Sequence, residues 1–267
     1  MRRRRRAYPT GLTDAQWAAI ADLVPPALPG GRPRRASSRE IVNAILDMLR
    51  GGQAWRLLPQ DFPPWRTVYH YLRRRPAEGV WARIHHAVLM ADRERAGREA
   101  SPTAAIIDSQ SVRTGHQKGT LAAMDAGKKI AGRKRHILTD ADGHLLEVQV
   151  HAGSVQDREG AKPLLRSDAR VRPRGLWAFV ETVFADGGYA GKRVDRAKPK
   201  ANLVLSIVKR PRALQRFEPL PRRWVIERTF GWLIENRRLV RDFEQRTDVA
   251  ETLIRIAATA TMPRRIA

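Results

Sequence analysis

The alternation of apolar and polar positions divides the chain into a helical first third and a remainder in which strands and helices mix. Residues 13–16, TDAQ, form a capping-box pattern ahead of WAAIADLV, and the prolines at 25 and 26 stop that helix. A loop, PPALPGGRPRRASS, leads to a second such box, SSRE at 37–40. In the amphipathic helix that follows, Ile41, Ala44, Ile45, Met48 and Leu49 recur at helical spacing until Gly51 and Gly52. Pro63 and Pro64 predict the start of a third helix, PPWRTVYHYLRRR, and AEGVWARIHHAVLMADRERAG a fourth. Helix, short turn, helix is a helix-turn-helix outline, and one that any small helical bundle shares.

After GREASP (97–102) the period changes. AAIIDSQSV (104–112) predicts a buried strand leading into Asp108, and KRHILTDADGHLLEVQVHAG a hairpin that turns at Asp142 and Gly143. Asp157 is expected to cap a helix beginning REGAKPLLRS. VETVFADGGYAG predicts a strand ending on Asp186, and NLVLSIVK (202–209) a further strand. PRRWVIERTFGWLIENRRLVRDFEQR reads as one long helix carrying Glu227. DVAETLIRIAATATMPRRIA keeps an apolar helical pattern to about Ala260, then ends in a basic tail unlike a closing helix. The expected organisation is a small all-α, helix-turn-helix-like region over 1–98 and, over 99–267, an α/β domain with a mixed sheet and flanking helices.

Charge changes this picture from architecture to partner. The 267 residues carry a formal net charge of +24, with a pI near 11.5, well beyond what solubility needs. A polyanion, nucleic acid first, is the natural partner, although an excess of Arg also arises from coding bias. The absence of Cys removes disulfides, thiolate metal sites and Cys nucleophiles. The opening MRRRRRAYPTGLTD has no apolar stretch behind its basic start, and no run approaches a membrane span, so a cytoplasmic protein is expected.

Two predicted strands thus end on aspartates, and one helix offers Glu227 near Arg223 and Arg228. In open α/β sheets ligands sit beyond strand ends, where Asp108 and Asp186 converge if their strands are neighbours. Carboxylates brought together repel unless a cation joins them, and Mg²⁺, with Mn²⁺ as its substitute, suits an all-oxygen donor set. Each residue also has a plainer role. Asp108 and Asp186 are good turn residues, Asp186 preceding Gly187 and Gly188, and Glu227 is spaced to pair with Arg223. His116, His136, His144 and His151 lack metal-ligand spacing and read as structural. In GKKIAGRKRH (127–136), Lys128, Lys129, Arg133, Lys134 and Arg135 form either a solvated edge or a phosphate-contacting strip, the reading preferred here. Arg73, Arg74 and Arg75 add a basic end to the third helix, and Trp55, Trp65 and Trp81 read as core of the helical region.

Segments spread along most of the chain resemble bacterial insertion-sequence transposases of the DDE type, the IS-five family. They run from YPTGLTDAQW through LPQDFPPWRTVYHYLRR, AAIIDSQSV, DAGKKIAGRKRHILTDADG, HAGSVQDREGA, FADGGYAGK and LPRRWVIERTFGWL to NRRLVRDFE. The resemblance implies a ribonuclease-H-like catalytic domain in which Asp108, Asp186 and Glu227 are catalytic and hold Mg²⁺, while Arg223 binds DNA. It also implies cleavage by water at the element's ends, attack of the freed 3′-hydroxyl on target DNA, recognition of terminal inverted repeats by the N-terminal helices, and a homodimer on DNA. The family signature asks for a tyrosine and a basic residue where this chain has Leu220 and Ile234, with Arg237 and Arg238 about one turn beyond. Three hypotheses follow: an active transposase, a DNA-binding copy without catalysis, and a ribonuclease-H-like nuclease without strand transfer.

Overall fold

The structure is a computed structural model that describes residues 8–26, 36–77, 79–115, 122–165, 179–190, 203–208 and 223–262. Its centre is a mixed sheet of six strands: β1 (Ala104–Arg113), β2 (Ala123–Asp125), β3 (Ile130–Thr139), β4 (Leu145–Ala152), β5 (Thr182–Ala185) and β6 (Val204–Ile207). β3 pairs antiparallel with β1, β2 and β4, whereas β5 lies parallel to β1 and β6 parallel to β5. Three long antiparallel strands followed by two short parallel ones on the far side of β1 are the ribonuclease-H-like topology.

Glycines mark two places in the sheet that a larger residue would not fit. Gly143, at φ 88°, turns the β3–β4 hairpin. Gly132 lies inside β3, where a Cβ would stand 1.9 Å from the Val112 carbonyl oxygen, so no larger residue fits.

The N-terminal helices are α1 (Asp14–Ala18), α2 (Ser38–Gly51), α3 (Trp65–Ala77) and α4 (Val80–Arg95). The Thr13 box forms as expected, with Thr13 Oγ1 accepting from the Gln16 N–H and Gln16 Oε1 from the Thr13 N–H, but the helix it opens has only five residues. At the second box Ser37 is the N-cap without a side-chain cap bond. Gly52, left-handed at φ 76°, ends α2 as its sequence predicts. Gly79, at φ 64°, separates α3 from α4.

Among the described residues four further helices follow: α5 (Asp157–Gly160), α6 (Lys162–Leu165), α7 (Arg223–Ile234) and α8 (Thr247–Thr261). The N-cap of α5 is Gln156, so Asp157 stands in its first turn rather than at its cap. The long helix expected through residue 246 stops at Ile234. A 3-10 turn, Arg237–Leu239, and an irregular stretch replace its second half, because Arg238, Asp242 and Glu244 turn inward to partners there. α8 is the helix that the apolar pattern to about Ala260 predicts. It packs against β4 and α4 and touches α2 and α3, with Leu253 and Ile254 fully buried. Its Glu251 accepts the Val150 N–H of β4, closing an edge donor of the sheet. His85 of α4, with Nε2 2.6 Å from the Leu145 carbonyl oxygen and Nδ1 2.8 Å from Thr259 Oγ1, ties the same three elements together. One continuous apolar core therefore runs from the N-terminal helices through α8 into the sheet. Trp81 is buried in it, and Trp55 and Trp65 pack partly buried against it.

Candidate active site

β1 outruns β5. Ile106 opposes Phe184 in register, β5 ends one residue later at Ala185, and β1 continues to Arg113. Asp108 stands two residues past Ile106 and Asp186 two past Phe184, so the notch at the end of β5 brings the two positions side by side on chains about 4.8 Å apart. Asp108 Oδ1 accepts the Ser109 N–H at 2.7 Å. Asp186 Oδ1 accepts the Gly188 N–H at 2.8 Å and caps the 3-10 turn Gly187–Tyr189, which leaves Oδ2 without a hydrogen bond among the described residues. The turn role foreseen for Asp186 thus occupies one of its oxygens only.

Glu227 lies on the exposed side of α7, the helix packed against β1. The rotation of α7 is set by two neighbours of Glu227. The Arg228 guanidinium lies between the Trp224 and Trp232 rings, 4.4 and 4.6 Å from their centroids, and donates to the Asp142 carbonyl at 2.8 Å. Thr229 Oγ1 donates to the Gly143 carbonyl at 2.8 Å. Both grips are on the hairpin turn. Arg223 is the first residue of α7, with its side chain outside the described part, and Leu220 lies outside the described residues. Ile234 is exposed; Arg238 is taken up by Glu244 and the Gln53 carbonyl, and Arg237 remains exposed.

The basic strip divides by strand alternation. Ser109, Ser111, Lys134 and His136 share one face of the sheet, and Asp108, Gln110, Arg133 and Arg135 the other. Arg133 and Arg135 are fully buried. Arg133 reaches Asp242 and the Glu244 and Gln245 carbonyls, and Arg135 reaches the Leu239 carbonyl. Lys134, also buried, meets Asp125 at 3.2 Å, Asp157 at 3.0 Å and the Val155 carbonyl at 2.9 Å. A phosphate-contacting role for these three is therefore corrected: their side chains are buried and turned to partners inside the protein. Lys128 and Lys129 are exposed, and Lys128 Nζ donates to the Ser109 carbonyl at 2.9 Å, beside Asp108. Arg73 and Arg74 are exposed on α3, with Arg73 5.6 Å from the Tyr69 ring centroid; the Arg75 side chain lies outside the described part.

Sequence reasoning missed Asp157 and Tyr189. Asp157 Oδ1 accepts from Ser109 Oγ at 2.8 Å and from Lys134, with His136 Nε2 at 3.7 Å. Burial works against its charge, but the hydrogen bonds from Lys134 and Ser109 outweigh it and hold the carboxyl below its ordinary range. Tyr189 is fully buried, its ring edge-on to His136 and its hydroxyl beside Ser109 without an aligned hydrogen bond. Burial, then the charges of Asp108, Asp157 and Asp186, push its phenol well above its usual value. His136 and His151 stack with Nδ1 and Nε2 2.7 Å apart; burial first, and then His151, take His136 down to about 3, so it is neutral. His116 lies outside the described residues.

Two features of the notch fit a cation. One is the orphaned Tyr189 hydroxyl. The other is the space above Gly188, where a Cβ would stand 3.1 Å from Asp186 Oδ1 and 3.7 Å from Asp157 Oδ2. Carboxylates this close repel unless positive charge lies between them. A second buried acidic group, Asp140, Asp142 and His144, has metal-like spacing but a different role. Asp140 is bonded to Arg93, to His144 Nδ1 and to the N–H groups of Asp142 and His144. A guanidinium already occupies the place a metal would take, and the group joins α4 to the hairpin.

A ribonuclease-H-like sheet with one aspartate inside β1 and another just past the end of its parallel neighbour β5 defines a class of phosphoryl-transfer scaffold, and comparison narrows it. Residues 99–262 match the family described as "Transposase DDE domain", and residues 12–85 the one described as "Putative transposase of IS4/5 family". The chain belongs to the DDE transposase family. A "Putative transposase for insertion sequence element IS402" of Burkholderia cepacia is 35% identical over 130 residues, which are 47% of this chain and 60% of that protein. "Uncharacterized protein y4sN" of Sinorhizobium fredii is 30% identical over 102 residues, 33% of this chain and 82% of that one. The chain thus spans about 60% of the length of the IS402 relative. Among solved structures, the Mos1 mariner paired end complex with Mn covers 93% of this chain and 83% of its own, at 15% identity and a TM-score of 0.27. A pre-cleavage Mos1 transpososome covers 91% and 80%, at 14% and 0.25. These scores mark a loose likeness only.

Proposed function

We propose that the protein is the transposase of an insertion sequence, binding the element's terminal inverted repeats and catalysing DNA cleavage and strand transfer with Asp108, Asp186 and Glu227. The observation that carries this reading is the pairing of β1 with β5, which sets Asp108 beside Asp186 at the notch. The three carboxylates hold a divalent cation, Mg²⁺ with Mn²⁺ as substitute, and when bound it activates water and offsets charge on the phosphate. Water displaces the 3′ oxygen from phosphorus and leaves a free 3′-hydroxyl, which in turn displaces the 3′ oxygen of a target phosphodiester. Lys128, exposed and anchored to the Ser109 carbonyl, neutralises phosphate next to Asp108, with Lys129 alongside. Arg223, at the head of α7, and Arg73, Arg74 and Arg75 of α3 contact the DNA backbone.

In this reading residues 1–98 form the recognition region and 99–267 the catalytic one, joined through α8. Two ends must be brought together, so the DNA complex is a homodimer with target DNA. Among the described residues no helix is long and apolar enough to cross a membrane, and the proposed place of action is the cytoplasm, on the chromosome. The test is a cleavage and strand-transfer assay on DNA carrying the flanking ends, with Mg²⁺ or Mn²⁺. End-specific cutting lost in Asp108→Ala supports the reading. Specific binding without cutting by folded protein gives the inactive-copy reading, and cutting without end preference or joining gives the nuclease.

A further inference from the structure

We propose that Asp157 is a fourth carboxylate of the active site, presenting Oδ2 to the cation held at the notch from the face of the sheet opposite Asp108. The inference rests on the metal-dependent reading above. The sequence offers Asp157 only as a helix cap, and it stands in the first turn of a four-residue helix.

The argument is one of oxygen atoms. Asp157 Oδ1 is fully committed to Ser109 Oγ and Lys134 Nζ, whereas Oδ2 takes no hydrogen bond among the described residues. Anchoring one oxygen and freeing the other is the arrangement by which supporting groups orient a metal-bound carboxylate. Its anchors come from the strands that build the notch: Ser109 follows Asp108 on β1, and Lys134 lies on β3 beside it.

The free oxygen points at the turn that carries Asp186. Both Asp157 Oδ2 and Asp186 Oδ1 border the space where a Gly188 side chain would go. The Tyr189 hydroxyl, fully buried beside Ser109 without an aligned hydrogen bond, stands within electrostatic reach of the same acids and leaves a polar group there for a ligand to meet. Lys134 does not neutralise Oδ2, because its contact is with Oδ1 and it is shared with Asp125 and the Val155 carbonyl.

The test titrates the 267-residue chain with Mn²⁺ and reads free Mn²⁺ by electron paramagnetic resonance, for wild type, Asp186→Asn, Asp157→Asn and Asp157→Ser, each checked for folding by circular dichroism. Asn keeps an acceptor for Ser109 and Lys134, and Ser is well tolerated at the start of a helix, so one variant serves if the other does not fold. Lost affinity in Asp186→Asn establishes the underlying site. With that in hand, Mn²⁺ affinity weakened about 10-fold or more in the folded Asp157 variants supports the proposal. Weakening of less than about 10-fold overturns it. Wild-type affinity in Asp186→Asn defeats the metal reading itself, and this inference with it.

Discussion

Arg133 and Asp242 are ion-paired at 3.1 Å where solvent does not reach, their side chains 0% and 1% exposed. The pair joins β3 to the irregular segment after α7, and the Glu244 and Gln245 carbonyls accept from the two terminal guanidinium nitrogens. Such a pair is worth little against an apolar replacement, but removing one partner leaves a buried charge uncompensated. Asp242→Ala is expected to lower stability by about 3–5 kcal/mol in urea unfolding. A double replacement of Arg133 and Asp242 by apolar residues recovers much of that loss.

Neutralising the proposed ligands separates chemistry from folding. Asp186→Asn and Glu227→Gln are each expected to reduce end cleavage by more than about 100-fold, the upper range for losing a group that only supports a metal ligand. DNA affinity and the thermal midpoint without metal stay near wild type. Parallel gel-shift, cleavage and melting measurements decide this.

Salt dependence reports how many phosphates the protein neutralises. For double-stranded DNA, the slope of log affinity against log salt falls by about 0.9 for every phosphate that no longer meets a cationic side chain. Arg73→Ala with Arg74→Ala is expected to flatten that slope and weaken binding to all sequences alike, as measured by fluorescence anisotropy.

The pH profile of stability carries a signature of α8. Burial, against the hydrogen bond from the Val150 N–H, pushes the Glu251 carboxyl up to about 7. A carboxyl raised in the native state binds its proton more tightly there. The associated stability is complete below the usual value of 4.5 and is lost as pH rises through about 7. Glu251→Gln is therefore expected to stabilise the protein at pH 8 and to bring little gain at pH 4, measured by denaturant unfolding at both.

Gly143→Ala tests the seat of α7. The left-handed φ of 88° and a Cβ position 2.8 Å from Thr229 Oγ1 both oppose a side chain there. A loss of about 1–2 kcal/mol in stability is expected from the backbone alone. Cleavage should fall further than DNA binding, because the Thr229 and Arg228 grips on this turn orient the helix bearing Glu227.

The sequence made legible whatever depends on local pattern. The strand into Asp108, the turn at Asp142 and Gly143, the stop of α2 at Gly52 and the strand into Asp186 follow from alternation and glycine placement. Long-range satisfaction of charge was not legible. RRLVRDFEQR continues a helical pattern, yet it breaks because Arg238 meets Glu244 and Asp242 meets Arg133, partners set by tertiary structure. For the same reason GRKRH looks like a solvated strip although Arg133 and Arg135 are interior. The site divides similarly: Asp108 lies within, and Asp186 just past, a strand that pattern locates, while Asp157 looks like any acid opening a short helix until Ser109 and Lys134 are seen to hold it.

α8 gives the molecule a ruler. The helix lies against α2, α3 and α4 on one side and β4 on the other, so among the described residues one packed core joins the proposed DNA-reading helices to the acids. The distance from recognised bases to the bond that is cut is then a dimension of the folded protein, and inserting or removing base pairs between them should abolish cutting rather than shift it.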